Sequence, residues 1–436
     1  MPKRAPPHIV ILGAGISGLS LGYFLKKFLG NSVKVTLLEK EAVVGGWMQT
    51  EQHDFLIEKG PRSFRASAVQ EVFSLVKELS LVDQLLPASK CAKVRFLFES
   101  GKLRAVPRSL FEFLFSSFFK VLAPSLVKEV MYKVRKEFQE ESIASFFTRH
   151  FGRQVTEIFV DALVSGVYAG DMHELSMNAC FPNFVRFEQE YGSLVKGMLK
   201  SSVKSDIYSF KNGMQMLPKA LEKFLGEDIK TNCSCNGFTF FDELITVSTN
   251  EGSFSADILC STLPADVFAD HISFHSQKLG SELKNIPYQS IDVVSLCYNK
   301  KVLTRSGFGY LVPSKEKEKI MGVIFESSVF PEQNMLKDET RLTVMLKGGL
   351  DDPLGHALIS LQRHLNVFEP SVASFVRKAR IPQYTLGHLD RVKKIEESLL
   401  KLSPNIHILG NAFYGVSIND CIVRAKKVAE NIAHQL

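Results

Sequence analysis

His8-Ile9-Val10-Ile11-Leu12-Gly13-Ala14-Gly15-Ile16-Ser17-Gly18 joins an apolar run to a glycine-spaced turn, and an amphipathic stretch continues from it to Leu29. Strand, turn and helix are predicted in immediate succession. Val33-Lys34-Val35-Thr36-Leu37-Leu38 reads as a second buried parallel strand, and Glu39 closes it about twenty residues beyond the last glycine. In such a unit Gly13 permits the tight turn, Gly15 lets backbone approach a pyrophosphate, and Gly18 lets the helix pack on the strand. The N–H groups at the helix start then face the anion. Glu39 can accept both ribose hydroxyls, and its charge disfavours a 2′-phosphate there. A glycine-rich turn with no ligand is the alternative; strand, helix and acid in register argue against it.

Gly45-Gly46-Trp47 stands six residues after Glu39. Nicotinamide dehydrogenases require no such pair, whereas the glutathione-reductase-like FAD proteins carry one after the acid, against the cofactor's phosphates. The stretch therefore resembles an FAD site, with an ordinary loop glycine pair as the alternative.

The chain has 436 residues, enough for about three average domains or one interleaved fold. Its formal charge of +7 is spread without basic runs, which argues against nucleic acid and favours an acidic ligand or an anionic membrane. The seven cysteines are an odd number without a CxxC pair, so reduced intracellular thiols are expected. Cys233-Ser234-Cys235 has the two-residue period of a strand, and no further ligands complete a metal site. Met1 to Pro7 leads straight into the first strand, leaving no room for a signal or transit peptide. No stretch reaches about twenty uninterrupted apolar residues, so no spanning helix is predicted.

Further along, Gly60-Pro61-Arg62-Ser63 reads as a turn from which Arg62 projects, followed by a helix from about Ala68 to Glu78. Val94 to Phe98 and Lys102 to Val106 form a predicted hairpin that begins near Arg95. Residues 110–127 hold five phenylalanines within nine positions, interrupted by Glu112, Lys120 and Pro124. That composition suits a helix lying in a membrane interface or lining an apolar pocket, with a buried core helix as the alternative. Lys120, Lys128, Lys133, Arg135 and Lys136 would favour anionic lipid. Ile229 to Cys235, Gly237 to Phe241 and Leu244 to Ser248 read as strands, and Phe254 to Thr262 as one returning to the core. Lys315 to Lys319 reads as a solvated loop tip. Ile406 to Asn411 reads as a strand, and a last helix is expected from about Val416 to His434.

Several motifs carry a closer resemblance: Gly60-Pro61-Arg62, Ser165-Gly166-Val167-Tyr168-Ala169-Gly170-Asp171, Gly213-Met214-Gln215-Met216-Leu217-Pro218, Gly307-Phe308-Gly309-Tyr310-Leu311-Val312-Pro313, Ile381-Pro382-Gln383-Tyr384-Thr385-Leu386-Gly387-His388 and Gly415-Val416-Ser417-Ile418-Asn419-Asp420-Cys421-Ile422. With these the chain resembles, over nearly its whole length, the oxygen-dependent protoporphyrinogen oxidases of haem biosynthesis, within the monoamine-oxidase-like flavin superfamily.

The resemblance implies an α/β protein: a glutathione-reductase-like Rossmann domain for FAD (1–66, 207–272 and 380–436), an α+β substrate domain (67–90 and 273–379) and a mostly helical membrane-associating domain (91–206). It implies non-covalent FAD at Gly13, Ala14, Gly15, Ile16, Ser17, Gly18, Glu39, Lys40, Gly45, Gly46, Trp47, Gly60, Pro61, Arg62, Ser63, Cys235, Gly410, Val416, Ser417 and Ile418. Val416 is expected to open the last helix and to offer its N–H to charge developing on the reduced flavin. For the porphyrinogen it implies Arg95 against a propionate, with Leu163, Gly166, Phe308, Gly309, Leu311, Ile324 and Met345 as walls; Ser165 leaves a second anchor open. No side-chain catalyst or metal is expected: hydride would pass from a meso carbon to the flavin, and dioxygen would be the acceptor. A cytoplasmic protein held peripherally at the membrane is expected, with room for a homodimer or for contact with the next haem-pathway enzyme. The alternatives are a coproporphyrinogen III oxidase, another amine oxidase or desaturase of the superfamily, and a non-catalytic binder of prenylated proteins.

Overall fold

The computed structural model describes residues 5–66, 70–108, 112, 115–116, 118–131, 139–200, 206–241 and 244–436. Its centre is a five-stranded parallel sheet in the order Ile229–Lys230, Lys34–Leu38, His8–Leu12, Ile258–Ser261, Ile406–Ile408. These strands are apolar along most of their length, as a parallel sheet covered on both faces demands. The helices Ile16–Leu29 and Ile418–Gln435 cover one face, burying Leu19, Leu21, Ile422 and Ile432 with Ile9 and Ile11 of the central strand. The other face packs on a layer that includes Val247, Phe268 and Ile395.

A three-stranded antiparallel sheet, Cys235–Phe241, Leu244–Thr249 and Gly252–Ala256, stands on that second face. The expected strand Phe254 to Thr262 is therefore two strands in two sheets. Asp257 makes the break: its N–H donates to the His8 carbonyl at 2.8 Å while its carboxylate accepts the His8 N–H at 2.7 Å. Likewise Ile229 to Cys235 is divided, since Asn232 adopts φ 54° and turns the chain before Cys235.

The second large sheet has seven strands, in the order Ala373–Pro382, Tyr288–Tyr298, Thr340–Lys347, Ile320–Phe325, Gly309–Leu311, Arg95–Glu99, Lys102–Ala105. The hairpin beginning at Arg95 is thus an edge of this sheet, lying with the 273–379 strands rather than with the helices after it. One face buries Tyr310, Val323, Val344 and Leu296. The other is only partly covered, with Leu311, Ile324 and Met345 each partly exposed. The expected loop tip at 315–319 is less solvated than its charge suggests: Glu318 pairs with Arg363 at 2.8 Å and is largely buried.

Helices Phe119–Val130, Ile143–Phe151, Asp161–Tyr168, Pro182–Tyr191 and Leu194–Lys200 form a third layer. Buried Glu129 ties it together, accepting from Ser193 Oγ at 2.8 Å and the Leu194 N–H at 2.5 Å, with His150 Nδ1 at 3.5 Å. Of the phenylalanine-rich stretch, Leu110, Phe111, Phe113, Leu114 and Ser117 lie outside the described residues, as do Ser67, Ala68 and Val69 of the helix expected from Ala68, which is observed over Glu71–Glu78. Phe118 is buried 4.9 Å from Phe159, whereas Phe115 is 78% exposed. All seven cysteines are free.

Candidate functional site

The first glycine turn is built by two unlike constraints. Gly13 has φ 95°, and a Cβ on it would stand 2.8 Å from Thr262 Oγ1, which itself donates to the Leu12 carbonyl at 2.8 Å. At Gly18 a Cβ would lie 2.0 Å from the Gly13 carbonyl oxygen, so helix and turn touch through backbone. Gly15 differs: an added Cβ would meet nothing within 4 Å. Its absent side chain opens onto space just where helix Ile16–Leu29 begins, with no side-chain cap and no acid in the first turn. Uncapped N–H groups at such an end attract an anion.

Around this opening the predicted residues gather. Glu39 is buried, with one carboxylate oxygen accepting the Ala14 N–H at 2.8 Å and the other the Glu41 N–H at 3.0 Å, so its position is set before any ligand arrives. Gly45 bridges to Gly15, its N–H reaching the Ala14 carbonyl at 2.8 Å, and a Cβ on Gly46 would stand 3.2 Å from Gly15 Cα. Gly410, with φ 130°, faces the Thr262 carbonyl. Cys235 begins its strand shortly after Cys233, whose N–H donates to the Glu39 carbonyl. Lys40 is well exposed beside Glu41. Trp47 is 40% exposed, with the Arg377 guanidinium 4.8 Å from its ring centroid.

Arg62 does not simply project. Its Nε donates to Glu326 at 2.5 Å and Thr343 Oγ1 at 2.9 Å, Nη1 to the Gly60 carbonyl at 2.8 Å, and Nη2 to the Glu58 carbonyl at 3.3 Å. It is a brace between the Gly60–Ser63 turn and the seven-stranded sheet. Beside it, Glu58 accepts the Met214 N–H and the Thr50 hydroxyl, yet burial outweighs both and raises its pKa to about 7.

The expected start of the last helix needs correcting. Helix Ile418–Gln435 is capped by Ser417, whose Oγ accepts the Asp420 N–H at 3.1 Å while the Asp420 carboxylate accepts the Ser417 N–H at 3.2 Å. Val416 precedes the cap, so its N–H is not the helix terminus, and Asp420 offsets the helix dipole there. The loop leading into it is held by Tyr384 and His388, to which no local sequence signal assigns a role. Tyr384 Oη accepts the Gly415 N–H at 2.8 Å and donates to the Asn411 carbonyl at 2.5 Å. His388 stacks on Tyr384 at 4.0 Å and bonds the Phe413 carbonyl.

The wall residues fall into a pattern. Across the strands Arg95 pairs with Gly309, Gly309 with Ile324 and Ile324 with Thr343; two residues further on, Leu97 pairs with Leu311, Leu311 with Gly322 and Gly322 with Met345. Side chains in adjacent rungs spaced by two share one face. Arg95, Gly309, Leu311, Ile324 and Met345 are thus neighbours on the partly covered face. Leu311 reaches Gly166, where an added Cβ would lie 2.5 Å from Leu311 Cδ2, and helix Asp161–Tyr168 also presents Leu163, 40% exposed. The Arg95 guanidinium lies 5.5 Å from the Phe308 ring centroid.

The sequence profile of the flavin-containing amine oxidoreductases matches residues 16–433. The chain belongs to that family. It is similar to protoporphyrinogen oxidase of Homo sapiens, 30% identical over 468 residues covering 97% of this chain and 98% of that protein. It is also similar to coproporphyrinogen III oxidase of Bacillus subtilis, 27% identical over 96% of each chain. A crystal structure from Exiguobacterium sp. 255-15 superimposes with a TM-score of 0.87 over 99% of both chains at 23% identity, which establishes the shared fold.

The protein is accordingly an FAD-dependent oxidoreductase. The residues present fit that cofactor: the space at Gly15 admits a pyrophosphate, and Glu39 offers a buried carboxylate at the end of the second strand. Bound FAD supplies hydride acceptance.

Proposed function

We propose that this enzyme oxidises protoporphyrinogen IX to protoporphyrin IX, six electrons passing to three molecules of dioxygen to give three of hydrogen peroxide. The observation that carries the reading is the pair of rungs from Arg95 and Leu97 to Thr343 and Met345: a largely apolar, glycine-relieved face with one arginine at its edge. A porphyrinogen is a broad apolar macrocycle with acidic arms, and such a face suits it. In this reading Arg95 binds a propionate, and Leu163, Gly166, Phe308, Gly309, Leu311, Ile324 and Met345 line the ring. The glycine turn, Glu39, Gly45, Gly46, the Gly60–Ser63 turn, Cys235, Gly410 and Val416 to Ile418 hold FAD.

The discontinuous FAD part and the sheet part enclose the ligand between them, and the helical layer carries the contact with a membrane surface. Exposed Phe115, Val127 and Met131, with Lys120 and Lys128 nearby, support that contact. Among the described residues no helix is long and apolar enough to cross a membrane.

The assay supplies anaerobically prepared protoporphyrinogen IX and coproporphyrinogen III to holoenzyme and follows porphyrin fluorescence and peroxide as oxygen is admitted. We expect kcat/KM to favour protoporphyrinogen; preference for the four-propionate substrate would overturn that choice in favour of the Bacillus subtilis relative's named reaction. Flotation with anionic liposomes tests the membrane contact, and protein that stays with the unbound fraction would overturn it.

A further inference from the structure

We propose that Arg65 is a second carboxylate anchor, placed with Arg95 beside Phe308, so that the site takes an apolar ligand with two acidic arms on one edge. This rests on the porphyrinogen reading and adds to it a residue and a demand on the ligand's shape.

Arg65 sits in the middle of strand Phe64–Ala66, directly opposite Ile207 in an antiparallel pair. Residues so paired extend from the same face of the sheet. Ile207 packs on the small apolar cluster of Leu86, Ala92, Val329 and Phe330, and Phe308 and Ile324 pack on that same cluster. The face that carries Arg65 therefore looks toward the ring over which the Arg95 guanidinium lies at 5.5 Å.

Counter-ions make the second argument. Arg62, Arg104, Arg149, Arg341, Arg380 and Arg424 each meet a carboxylate within 4.0 Å. Among the described residues neither Arg65 nor Arg95 does. Partial desolvation, and then the charge of Arg65, lower the pKa of Arg95, and no acid opposes them. Two like charges near a partly apolar site repel until an anion arrives, and a pair of carboxylates relieves both. In the turn sequence Gly60-Pro61-Arg62-Ser63-Phe64-Arg65 the inward Arg62 is spent on Glu326, leaving Arg65 as the cation available to a ligand.

The test uses holoenzyme of wild type, Arg65→Ala, Arg65→Lys and Arg95→Ala. Protoporphyrin IX and its dimethyl ester are titrated into each, read by quenching of flavin fluorescence, and protoporphyrinogen IX kinetics are measured on the same samples. Arg65→Ala should weaken binding of the diacid by about ten- to a hundredfold and raise KM similarly, with kcat within about twofold. Arg65→Lys should recover part of the loss, since it keeps charge without the planar fork. The diester should bind all four proteins alike. Unchanged diacid binding in Arg65→Ala, or an equal loss for diester and diacid, would overturn the anchor while leaving the porphyrinogen reading intact if wild type still turns over. Wild type that neither binds the diacid nor oxidises the porphyrinogen would overturn the reading and the anchor together.

Discussion

Replacing Gly15 separates cofactor binding from folding. Its backbone, at φ −73° and ψ 179°, is one that any residue adopts, and a new Cβ would meet nothing within 4 Å. Gly15→Ala should therefore leave the apoprotein folded and close to wild type in stability, since the gain of about 0.4–1 kcal/mol from lost freedom in the unfolded chain is offset by the poorer N-cap preference of alanine. Gly15→Val gives up some cap preference but still fits. For the holoenzyme, in the proposed placement, the same atoms stand where the pyrophosphate approaches. One or two charge-assisted bonds at about 1.5–3 kcal/mol each are then lost, which raises the Kd for FAD by about tenfold for one weak bond and about twenty-thousandfold for two strong ones. Gly18→Ala is the control, because its Cβ would stand 2.0 Å from the Gly13 carbonyl oxygen, and backbone there cannot yield without moving helix or strand. The assay is the flavin-to-protein absorbance ratio, far-UV circular dichroism and thermal unfolding of the flavin-free proteins. Gly15→Val should be colourless and folded, Gly18→Ala poorly folded. Stoichiometric FAD at wild-type affinity in Gly15→Val would refute the placement of the pyrophosphate.

The buried carboxyl of Glu58 holds a proton in the folded protein that the unfolded chain releases at about 4.5, so the associated stability is full below that pH. It is lost as pH rises through about 7, a change on the order of 3 kcal/mol. Glu58→Gln should flatten the fall of Tm with pH between those values, and parallel Tm profiles for the two proteins would count against the assignment. Tyr384→Phe leaves the Gly415 N–H and the Asn411 carbonyl without their shared partner. It should cost about 1–3 kcal/mol and speed flavin release, read by stopped-flow fluorescence; an unchanged release rate would detach this tyrosine from the cofactor loop. Arg62→Lys keeps the charge but not the fork and should lower Tm, with kcat falling more than flavin content. Equal Tm and kcat would show that the brace carries no strain from either side.

Local order explains what was legible in the sequence. His8 to Glu39 is one contiguous strand, turn, helix and strand, and every rule that reads it concerns neighbours, so the parallel centre of the fold follows from it. The hairpin at Arg95 was visible for the same reason, but its place was not: Arg95–Glu99 pairs in parallel with Gly309–Leu311, from a distant part of the chain. Phe254 to Thr262 is uniformly suited to strand, and only the bonds between Asp257 and His8 divide it. The start of the last helix is also legible locally, since Ser417 followed three residues later by Asp420 is itself a capping signature. Arg62 was singled out as a cofactor contact through resemblance; its hydrogen bonds to Glu326 and Thr343 depend on elements far from it in sequence.

In the proposed reading, those bonds bear on how flavin and porphyrinogen are held in register between the Gly60–Ser63 turn and the seven-stranded sheet. Transfer requires the reacting atoms to be held about 3–3.5 Å apart, a tolerance that a flexible connection cannot meet. One guanidinium spans the distance here. At one side it grips the Gly60 and Glu58 carbonyls, at the start of the Gly60–Ser63 turn; at the other it grips Thr343, which stands in the rung that runs through Ile324 and Gly309 to Arg95. Glu326, itself 3.5 Å from buried Arg341, neutralises the charge and keeps the fork from turning. A change in the spacing between the Gly60–Ser63 turn and the seven-stranded sheet must therefore stretch or break several charge-assisted bonds at once. Arg62 therefore fixes the Gly60–Ser63 turn relative to the row Thr343, Ile324, Gly309 and Arg95, which in the proposed reading sets the orientation of flavin to porphyrinogen.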